Sequence, residues 1–304
     1  MAVIVGTEAG EPLPGTNDVD LIQGKGGDDT INGGFGNDIL YGDEGNDTFV
    51  LNGTAGFDSY HGGDGDDIIK VTRVPSYYNY VEIQINYMDS IEAIANDSNI
   101  DTYIRARGVK DFSNVDLIDI EGIRGSDSND YIDANVIYHS STATFSGVDM
   151  WGYEGDDKLA GTVLADVIDG GDGDDTIAGG DGVDQLDGGA DNDSLGGGAG
   201  NDLLNGGTGD DILLGGTGDD ELTGGDGADY FWFENGDGWD VVSDFTDGVD
   251  FVVVGASIST VDLYDYYGDA LLGFDVGTAG EAYVQLAGVD PSLISGSDLF
   301  YAGA

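Results

Sequence analysis

The chain has 304 residues, of which 61 are acidic and only 8 basic, so its formal net charge at pH 7 is −53. Such a charge opposes compaction and argues against nucleic acid and anionic membrane surfaces as binding partners. The 39% hydrophobic content and the 16 tyrosines exceed what a solvated tail contains, so we expect a divalent cation to neutralise the carboxylates on folding.

Features that the sequence lacks exclude further classes of protein. The chain has no cysteine, which excludes a disulfide framework and a thiolate metal site. No segment approaches the roughly 18 apolar residues of a membrane-spanning helix, so no membrane span is expected. Residues 1–10 lack the basic region of a Sec signal peptide.

A first repeat array occupies residues 15–70, within a predicted N-terminal domain of residues 1–70. Nine-residue units begin at Gly15, Gly24, Gly33 and Gly42, and after a two-residue insertion at Gly53 and Gly62. Position 6 holds Asp20, Asp29, Asp38, Asp47, Asp58 and Asp67, and position 8 holds Ile22, Ile31, Leu40, Phe49, Tyr60 and Ile69. Residues 6–14 match a decayed earlier unit, with Glu11 in the Asp column.

Residues 71–151 are the least repetitive part of the chain. Apolar and polar residues alternate over 81–87 and again over 102–107, which predicts two half-buried strands. The second strand would place Tyr103, Arg105 and Arg107 on one face. Residues 125–133 match a degraded nonapeptide, so we interpret this part as an insertion or a worn stretch of solenoid.

A second array occupies residues 152–232, where nine units follow one another without a gap. Position 1 is always Gly, and position 8 is always a large apolar residue, from Leu159 to Phe231. Position 6 holds Asp157, Asp166, Asp175, Asp184, Asp193, Asp202, Asp211, Asp220 and Asp229.

The spacing suits a hard cation. Glycines at positions 1, 2 and 4 permit backbone conformations that turn the carbonyls inward, and the Asp adds a carboxylate oxygen. Such an all-oxygen shell is the one that Ca²⁺ prefers. A flexible linker would not keep an apolar residue at every ninth position, and a phosphate loop at 24–27 would not recur in fifteen units.

These units resemble the RTX repeat, G-G-x-G-x-D-x-U-x, of haemolysin-type calcium-binding proteins. The resemblance implies an all-β fold, a parallel β-roll or β-solenoid in which two nonapeptides make one turn. It also implies that each Ca²⁺ lies between turns 18 residues apart and is held by two aspartates and by loop carbonyls. That gives about seven ions in the second array, from Asp157 with Asp175 to Asp211 with Asp229. The first array would hold two to four, namely Asp20 with Asp38, Asp29 with Asp47 and two further pairs across the insertion.

Residues 233–304 follow the last unit. Their first part, 236–251, is similar to the G-x-D-x-I-x-D-F-x-x-G-x-D-x-I segment that closes the arrays of serralysin-type proteases. The resemblance implies a β-rich C-terminal capping domain with a type I secretion signal, hence a type I exporter as partner. The protein would then be secreted, outside or on the surface of a Gram-negative bacterium. We expect this domain to pack on Ile212, Leu214, Tyr230 and Trp232 through Phe233, Phe245 or Phe251.

No catalytic residue stands out. The protease motif of the serralysins is absent, His61 is predicted to point outward, and most of the acidic residues are assigned to calcium turns. We therefore expect a non-enzymatic calcium-binding protein.

Two functional readings remain open. In the first, calcium folds the chain into a surface-layer, matrix or adhesive component, which self-assembles through the N-terminal end of its solenoid. In the second, the 71–151 region binds or modifies an acidic polysaccharide through Tyr77, Tyr78, Tyr80 and Tyr103 beside Arg105 and Arg107. The alternative for these arginines is pairing with the surrounding carboxylates.

Overall fold

A computed structural model describes residues 1–51, 56–72, 80–96, 101–106, 109–112, 114–120, 122–126, 128–134, 137–139, 144–275, 281–295 and 298–301. Within these ranges all regular secondary structure is β. The chain divides into two compact units, Met1–Ser126 with Asp130–Asp149, and Asp127–Asn129 with Met150–Ala304. Each unit is described separately.

The first unit contains the strands β1 (Val3–Val5), β2 (Pro12–Thr16), β3 (Leu21–Gly26), β4 (Thr30–Gly34), β5 (Ile39–Glu44), β6 (Thr48–Leu51), β7 (Asp58–Asp64), β8 (Ile68–Val71), β9 (Tyr80–Asp89), β10 (Ala93–Asn96), β11 (Asp101–Ala106), β12 (Val109–Asp111), β13 (Asp116–Ile118), β14 (Gly122–Arg124), β15 (Tyr131–Asp133), β16 (Ile137–His139) and β17 (Thr144–Ser146). One sheet has the order β1-β3-β5-β7-β9-β11-β14, and the facing sheet has the order β17-β16-β13-β10-β8-β6-β4-β2.

The second unit contains the strands β18 (Asp149–Glu154), β19 (Lys158–Ala160), β20 (Val167–Asp172), β21 (Thr176–Asp181), β22 (Gln185–Ala190), β23 (Ser194–Ala199), β24 (Leu203–Thr208), β25 (Ile212–Thr217), β26 (Glu221–Asp226), β27 (Tyr230–Phe233), β28 (Trp239–Val242), β29 (Phe251–Val254), β30 (Val261–Tyr266), β31 (Asp269–Phe274), β32 (Ala282–Leu286) and β33 (Leu299–Tyr301). Its sheets have the orders β18-β20-β22-β24-β26-β28-β32-β31-β30 and β19-β21-β23-β25-β27-β29-β33.

The register shows how the repeat becomes a solenoid. Ile168 pairs with Leu186 and Leu186 with Leu204, all in parallel, while the intervening Ile177 lies in the other sheet. Since neighbouring strands of one sheet come from alternate nonapeptides, one coil contains two nonapeptides. The predicted parallel β-solenoid is confirmed.

The core of each coil is the position-8 side chain. Every predicted member of both columns is at most 2% exposed, from Ile22 to Ile69 and from Leu159 to Phe231. The flanking positions 7 and 9 alternate outward, as strand geometry requires. One apolar residue per nonapeptide makes a thin core, so each coil depends on its neighbours for burial.

Most described strands of the 71–151 region follow the same parallel pattern, whereas β16 and β17 pair antiparallel. β9 and β11 pair in parallel, with Ile83 opposite Ile104 and both side chains buried. Thr102 and Ile104 are buried while Tyr103 and Arg105 are half-buried, as the alternation predicts. Arg107, Tyr77 and Tyr78 lie outside the described residues. The domain boundaries at 70/71, 151/152 and 232/233 stay predictions.

The C-terminal segment differs from expectation in one respect. It lengthens both sheets with β28, β29 and β33 and ends one sheet with the antiparallel strands β30, β31 and β32. The expectation that it covers the outer apolar patch is wrong for Ile212 and Leu214, which stay 45% and 36% exposed. The reason is that Phe233 and Phe245 continue the interior, whereas the rings of Phe251 and Phe300 reach the patch at Tyr230.

The position-1 glycines yield a direct test of the coil geometry. A Cβ on Gly197 would clash with the Oδ2 of Asp202 and lie 2.5 Å from the carbonyl oxygen of Gly215, whereas a Cβ on Gly196 meets nothing closer than 3.9 Å. We expect Gly197→Ala to lower the free energy of unfolding of the calcium-loaded protein by about 1–3 kcal/mol. Gly196→Ala, the matched control, should change it by less than about 0.5 kcal/mol. Denaturant unfolding measures both, and equal stability of the two variants would contradict this packing.

Candidate metal-binding ladder

All fifteen position-6 aspartates predicted as metal ligands have buried side chains. None is more than 3% exposed, although an aspartate in water carries a negative charge at neutral pH. Burying a charged group without a partner is strongly unfavourable, so something must compensate these carboxylates in the folded state.

The aspartates stack on one another along each unit. The backbone N–H of one donates to the Oδ1 of the aspartate one coil later, over 2.7–3.0 Å. In the first unit the pairs are Asp20 with Asp38, Asp29 with Asp47, Asp38 with Asp58 and Asp47 with Asp67. In the second unit they run from Asp157 with Asp175 to Asp211 with Asp229. We call each series a carboxylate ladder and each successive pair a rung.

In most of these carboxylates the second oxygen has no hydrogen-bond donor; the exceptions include Asp20, Asp58 and Asp166, whose Oδ2 accepts from Thr16, Tyr60 and Thr162. The Oδ2 atom is buried without a partner in Asp29, Asp38, Asp47, Asp67, Asp175, Asp184, Asp193, Asp202, Asp211, Asp220 and Asp229. It faces the position-1 glycine of its own nonapeptide, and beside seven of these glycines, namely Gly24, Gly42, Gly170, Gly179, Gly188, Gly197 and Gly206, lies a glycine carbonyl of the next coil as well. A Cβ on Gly206, for example, would contact the Oδ2 of Asp211 and the oxygen of Gly224.

The oxygen atoms of this arrangement suit Ca²⁺ as ligands. Anionic and carbonyl oxygens converge beside position-1 glycines such as Gly188, Gly197 and Gly206, and both are hard ligands of the kind calcium takes. Among the described residues no three His, Cys, Asp or Glu side chains come together as a metal group, so main-chain oxygens would have to complete any shell. When bound, the cation would supply the positive charge that the rungs lack.

Burial perturbs the acidity of the ladder. Desolvation raises the pKa of Asp184 and Asp193 to about 7, and neighbouring carboxylates add to the effect. Desolvation also raises the pKa of Asp175, Asp220 and Asp229 to about 6. The coil therefore favours either a proton or a cation at these groups near neutral pH.

Asp240 and Asp250 belong to the ladder of the second unit but were not predicted from the repeats. The N–H of Asp220 donates to Asp240 Oδ1 over 3.0 Å, and the N–H of Asp229 donates to Asp250 Oδ1 over 3.1 Å. Both side chains are buried, and desolvation raises the pKa of Asp240 to about 8. Their spacing of 20 and 21 residues breaks the nine-residue register. The available signal was the local D-x-U triplet, Asp followed two residues later by Val242 or Val252.

A second, exposed ladder lies at position 5 of the turns. The N–H of Asn192 donates to Asp174 Oδ1 over 3.0 Å, and the N–H of Asp210 donates to Asn192 Oδ1 over 2.8 Å. In the first unit, Asn46 donates in the same way to Asp28. Asp and Asn therefore recur at position 5 because their side chains satisfy the amide of the next coil.

Other singled-out residues have structural roles. The His61 ring stacks on Tyr41 with centroids 4.3 Å apart, and its Nδ1 lies 2.9 Å from Asp89 Oδ1. The guanidinium of Arg124 lies 3.8 Å from the centre of the Tyr103 ring, and Arg105 pairs in register with Arg124.

Comparison with known proteins identifies the repeats. The sequence profile of the RTX calcium-binding nonapeptide repeat matches residues 14–49, 50–70, 151–186, 169–204, 179–213 and 205–240. The two arrays are RTX calcium-binding nonapeptide repeats. The RTX matches cover just under half of the chain and coincide with the coils that carry the position-6 aspartates.

The remaining comparisons add little about function. A search of curated proteins gives no match. Among solved structures, the extracellular lipase LipA from Serratia marcescens is similar at 17% identity and a TM-score of 0.31, over 79% of this chain and 45% of the lipase chain. This chain thus spans less than half the length of that lipase, and a likeness of this size carries no conclusion on activity. No helix among the described residues is long and apolar enough to cross a membrane.

The raised pKa values predict an acid-stabilised calcium-free state. Because the folded-state pKa of Asp184 and Asp193 is about 7 against an ordinary 3.8, their stabilising contribution is full below pH 3.8 and is lost as pH rises through 7. In chelator, circular dichroism should therefore show more β structure at pH 5 than at pH 8. High salt screens only the exposed charges, so the difference should persist in it. A flat pH dependence in chelator and high salt would contradict the assignment.

Proposed function

We propose that this chain is a secreted, non-enzymatic protein whose RTX arrays fold on binding calcium outside the cell, where it serves as a surface-layer, matrix or adhesive component. The observation that carries the proposal is the pair of carboxylate ladders, with their buried and unpartnered Oδ2 atoms. Rows of stacked like charges with so thin an apolar core disfavour the folded state unless a cation occupies the rungs.

The ladders support calcium at many sites. The second unit offers seven rungs within the array, and the first unit offers four. One site at tenfold saturation adds about 1.4 kcal/mol, so a few occupied rungs match the stability of a small domain. The proposed ligands are the fifteen position-6 aspartates, joined by Asp240 and Asp250.

Secretion follows from the same dependence. In calcium-poor cytosol the arrays would stay unfolded, which suits passage through a type I exporter, and the higher calcium outside would then fold them. RTX repeat proteins are typically secreted, and the C-terminal segment is the proposed export signal.

A calcium titration followed by far-ultraviolet circular dichroism tests the proposal. We expect a coil-like spectrum in chelator at pH 8 and a cooperative gain of β signal with Ca²⁺. Mg²⁺, which demands a smaller and stricter shell, should be much less effective. A chelated sample that keeps its full β signal would refute the proposed folding switch.

Replacement of Asp193, at the centre of the second array, should change stability in opposite directions with and without calcium. It contributes to the rungs with Asp175 and Asp211. Asp193→Asn should lower the stability of the calcium-loaded protein by about 3 kcal/mol, the loss of two sites. In chelator at pH 8 the same variant should be more folded than the parent, because it buries no charge.

The matched control for that variant is Asp191→Asn. Asp191 lies two residues away, is exposed and has a φ of +76°, a conformation that Asn also tolerates. It removes the same formal charge outside the ladder, so both stabilities should stay close to those of the parent. Identical behaviour of the two variants in thermal unfolding would show that general charge, not the ladder, governs folding.

The alternative is binding of an acidic polysaccharide by the 71–151 region. The observation in its favour is the register pairing of Arg105 and Arg124 on neighbouring strands, with Tyr103 beneath the Arg124 guanidinium. Planar guanidinium groups suit sugar carboxylates. Glycan-array binding that disappears on Arg105→Ala with Arg124→Ala would favour this alternative, whereas calcium-dependent ordered assemblies without glycan would favour the matrix role.

A further inference from the structure

The turn that follows the first array imitates a nonapeptide turn without its sequence. Residues 89–92 read Asp-Ser-Ile-Glu and lie outside the matched repeats. Ala93 pairs with Ile68 and Ile94 with Ile69, so the residue before them, Glu92, occupies the column of Asp67. A glutamate thus stands one coil beyond the last aspartate of that column.

Glu92 makes the hydrogen bond of a ladder aspartate. The N–H of Asp67 donates to Glu92 Oε2 over 2.6 Å, just as the N–H of Asp47 donates to Asp67 Oδ1 over 2.7 Å. The longer side chain reaches the same amide, so the contact between successive coils is preserved.

The carbonyl oxygen that could bind the ion is preserved as well. In the preceding coil, a Cβ on Gly42 would meet the Oδ2 of Asp47 and lie 2.5 Å from the oxygen of Gly62. In this coil, a Cβ on Gly62 would lie 2.5 Å from the Oδ2 of Asp67 and would clash with the oxygen of Ser90. Ser90 therefore stands where a glycine carbonyl stands elsewhere, and its φ of +48° is left-handed, which a serine rarely adopts.

The Asp67 carboxylate leaves one oxygen for a ligand in this space. Its Oδ2 is buried and has no hydrogen-bond donor, and the whole residue is 1% exposed. A carboxylate that only capped an amide would not require this arrangement. The anionic Oδ2, the Ser90 carbonyl and the Glu92 carboxylate reproduce the donor types of the other rungs.

We propose that Asp67 and Glu92, with the Ser90 carbonyl, form a further Ca²⁺ site at the end of the first array. This site rests on the proposed calcium function of the ladders and extends it beyond the recognisable repeats. Its competitor is a purely structural role, in which Glu92 accepts the Asp67 N–H and holds no ion.

Ion counting by native mass spectrometry on the full chain in saturating Ca²⁺ separates the two roles. Glu92→Gln keeps an oxygen that accepts the Asp67 N–H but loses the charge, and it should bind one ion fewer than the parent. Asp67→Asn affects the rungs to both Asp47 and Glu92 and should bind two fewer. Glu44→Gln changes an exposed glutamate of the same array and should bind the parental number.

The outcomes distinguish this site from the ladder itself. A full ion count in Glu92→Gln together with a loss of one ion in Asp67→Asn overturns the new site and leaves the ladder intact. Failure of the parent to bind calcium overturns the proposed function instead. Should Glu92→Gln not reach the parental circular dichroism signal, Asp67→Asn decides alone, since two lost ions support the site and one overturns it.

Discussion

The burial of like-charged carboxylates in rows is the constraint on which the rest of the structure depends. Along the ladders, a position-6 Asp such as Asp193 accepts the main-chain N–H of the Asp one coil earlier with one oxygen, which fixes the coil spacing. In most of these residues the other oxygen is buried and has no hydrogen-bond donor. Because an uncompensated buried charge is so unfavourable, the same feature that aligns the coils makes their stability conditional on a cation or a proton.

The glycines follow from that constraint. At position 1 a side chain would occupy the volume of the Asp carboxylate, and at position 2 it would strike a carbonyl of the preceding coil, as Gly198 shows against Gly180. Gly198 also has a φ of +112°, which side-chain-bearing residues rarely adopt. The turns of the repeat therefore hold glycines and carboxylates in place of apolar side chains. As a result, the solenoid has one buried apolar residue per nonapeptide.

Much of this could be predicted from the sequence, because an Asp and an apolar residue recur in one register and strand geometry then specifies what faces inward. The next-coil partners of Asp157 to Asp211 followed directly. Asp240 and Asp250 did not, since loops of different length replace the nonapeptide while the coil itself continues. Glu92 could not be predicted from the sequence for another reason. Its role depends on a backbone conformation at Ser90 that residue type does not favour.

The first unit also shows what happens where a ladder stops. Opposite Asp58 stands Ile85, and the Tyr60 hydroxyl donates over 3.2 Å to the Asp58 Oδ2, the atom that lacks a donor in most of the ladder. Beyond Asp67 the column continues with Glu92 and then reaches the buried Val115, which precedes Asp116, the partner of Ala93. Between residues 83 and 123, Ile83, Ile94, Ile104, Leu117 and Ile123 supply an apolar interior, and no described Asp or Glu side chain of that stretch is buried. One backbone path therefore has two kinds of interior. The proposed cation dependence belongs to the coils with a carboxylate column and ends where apolar side chains replace it.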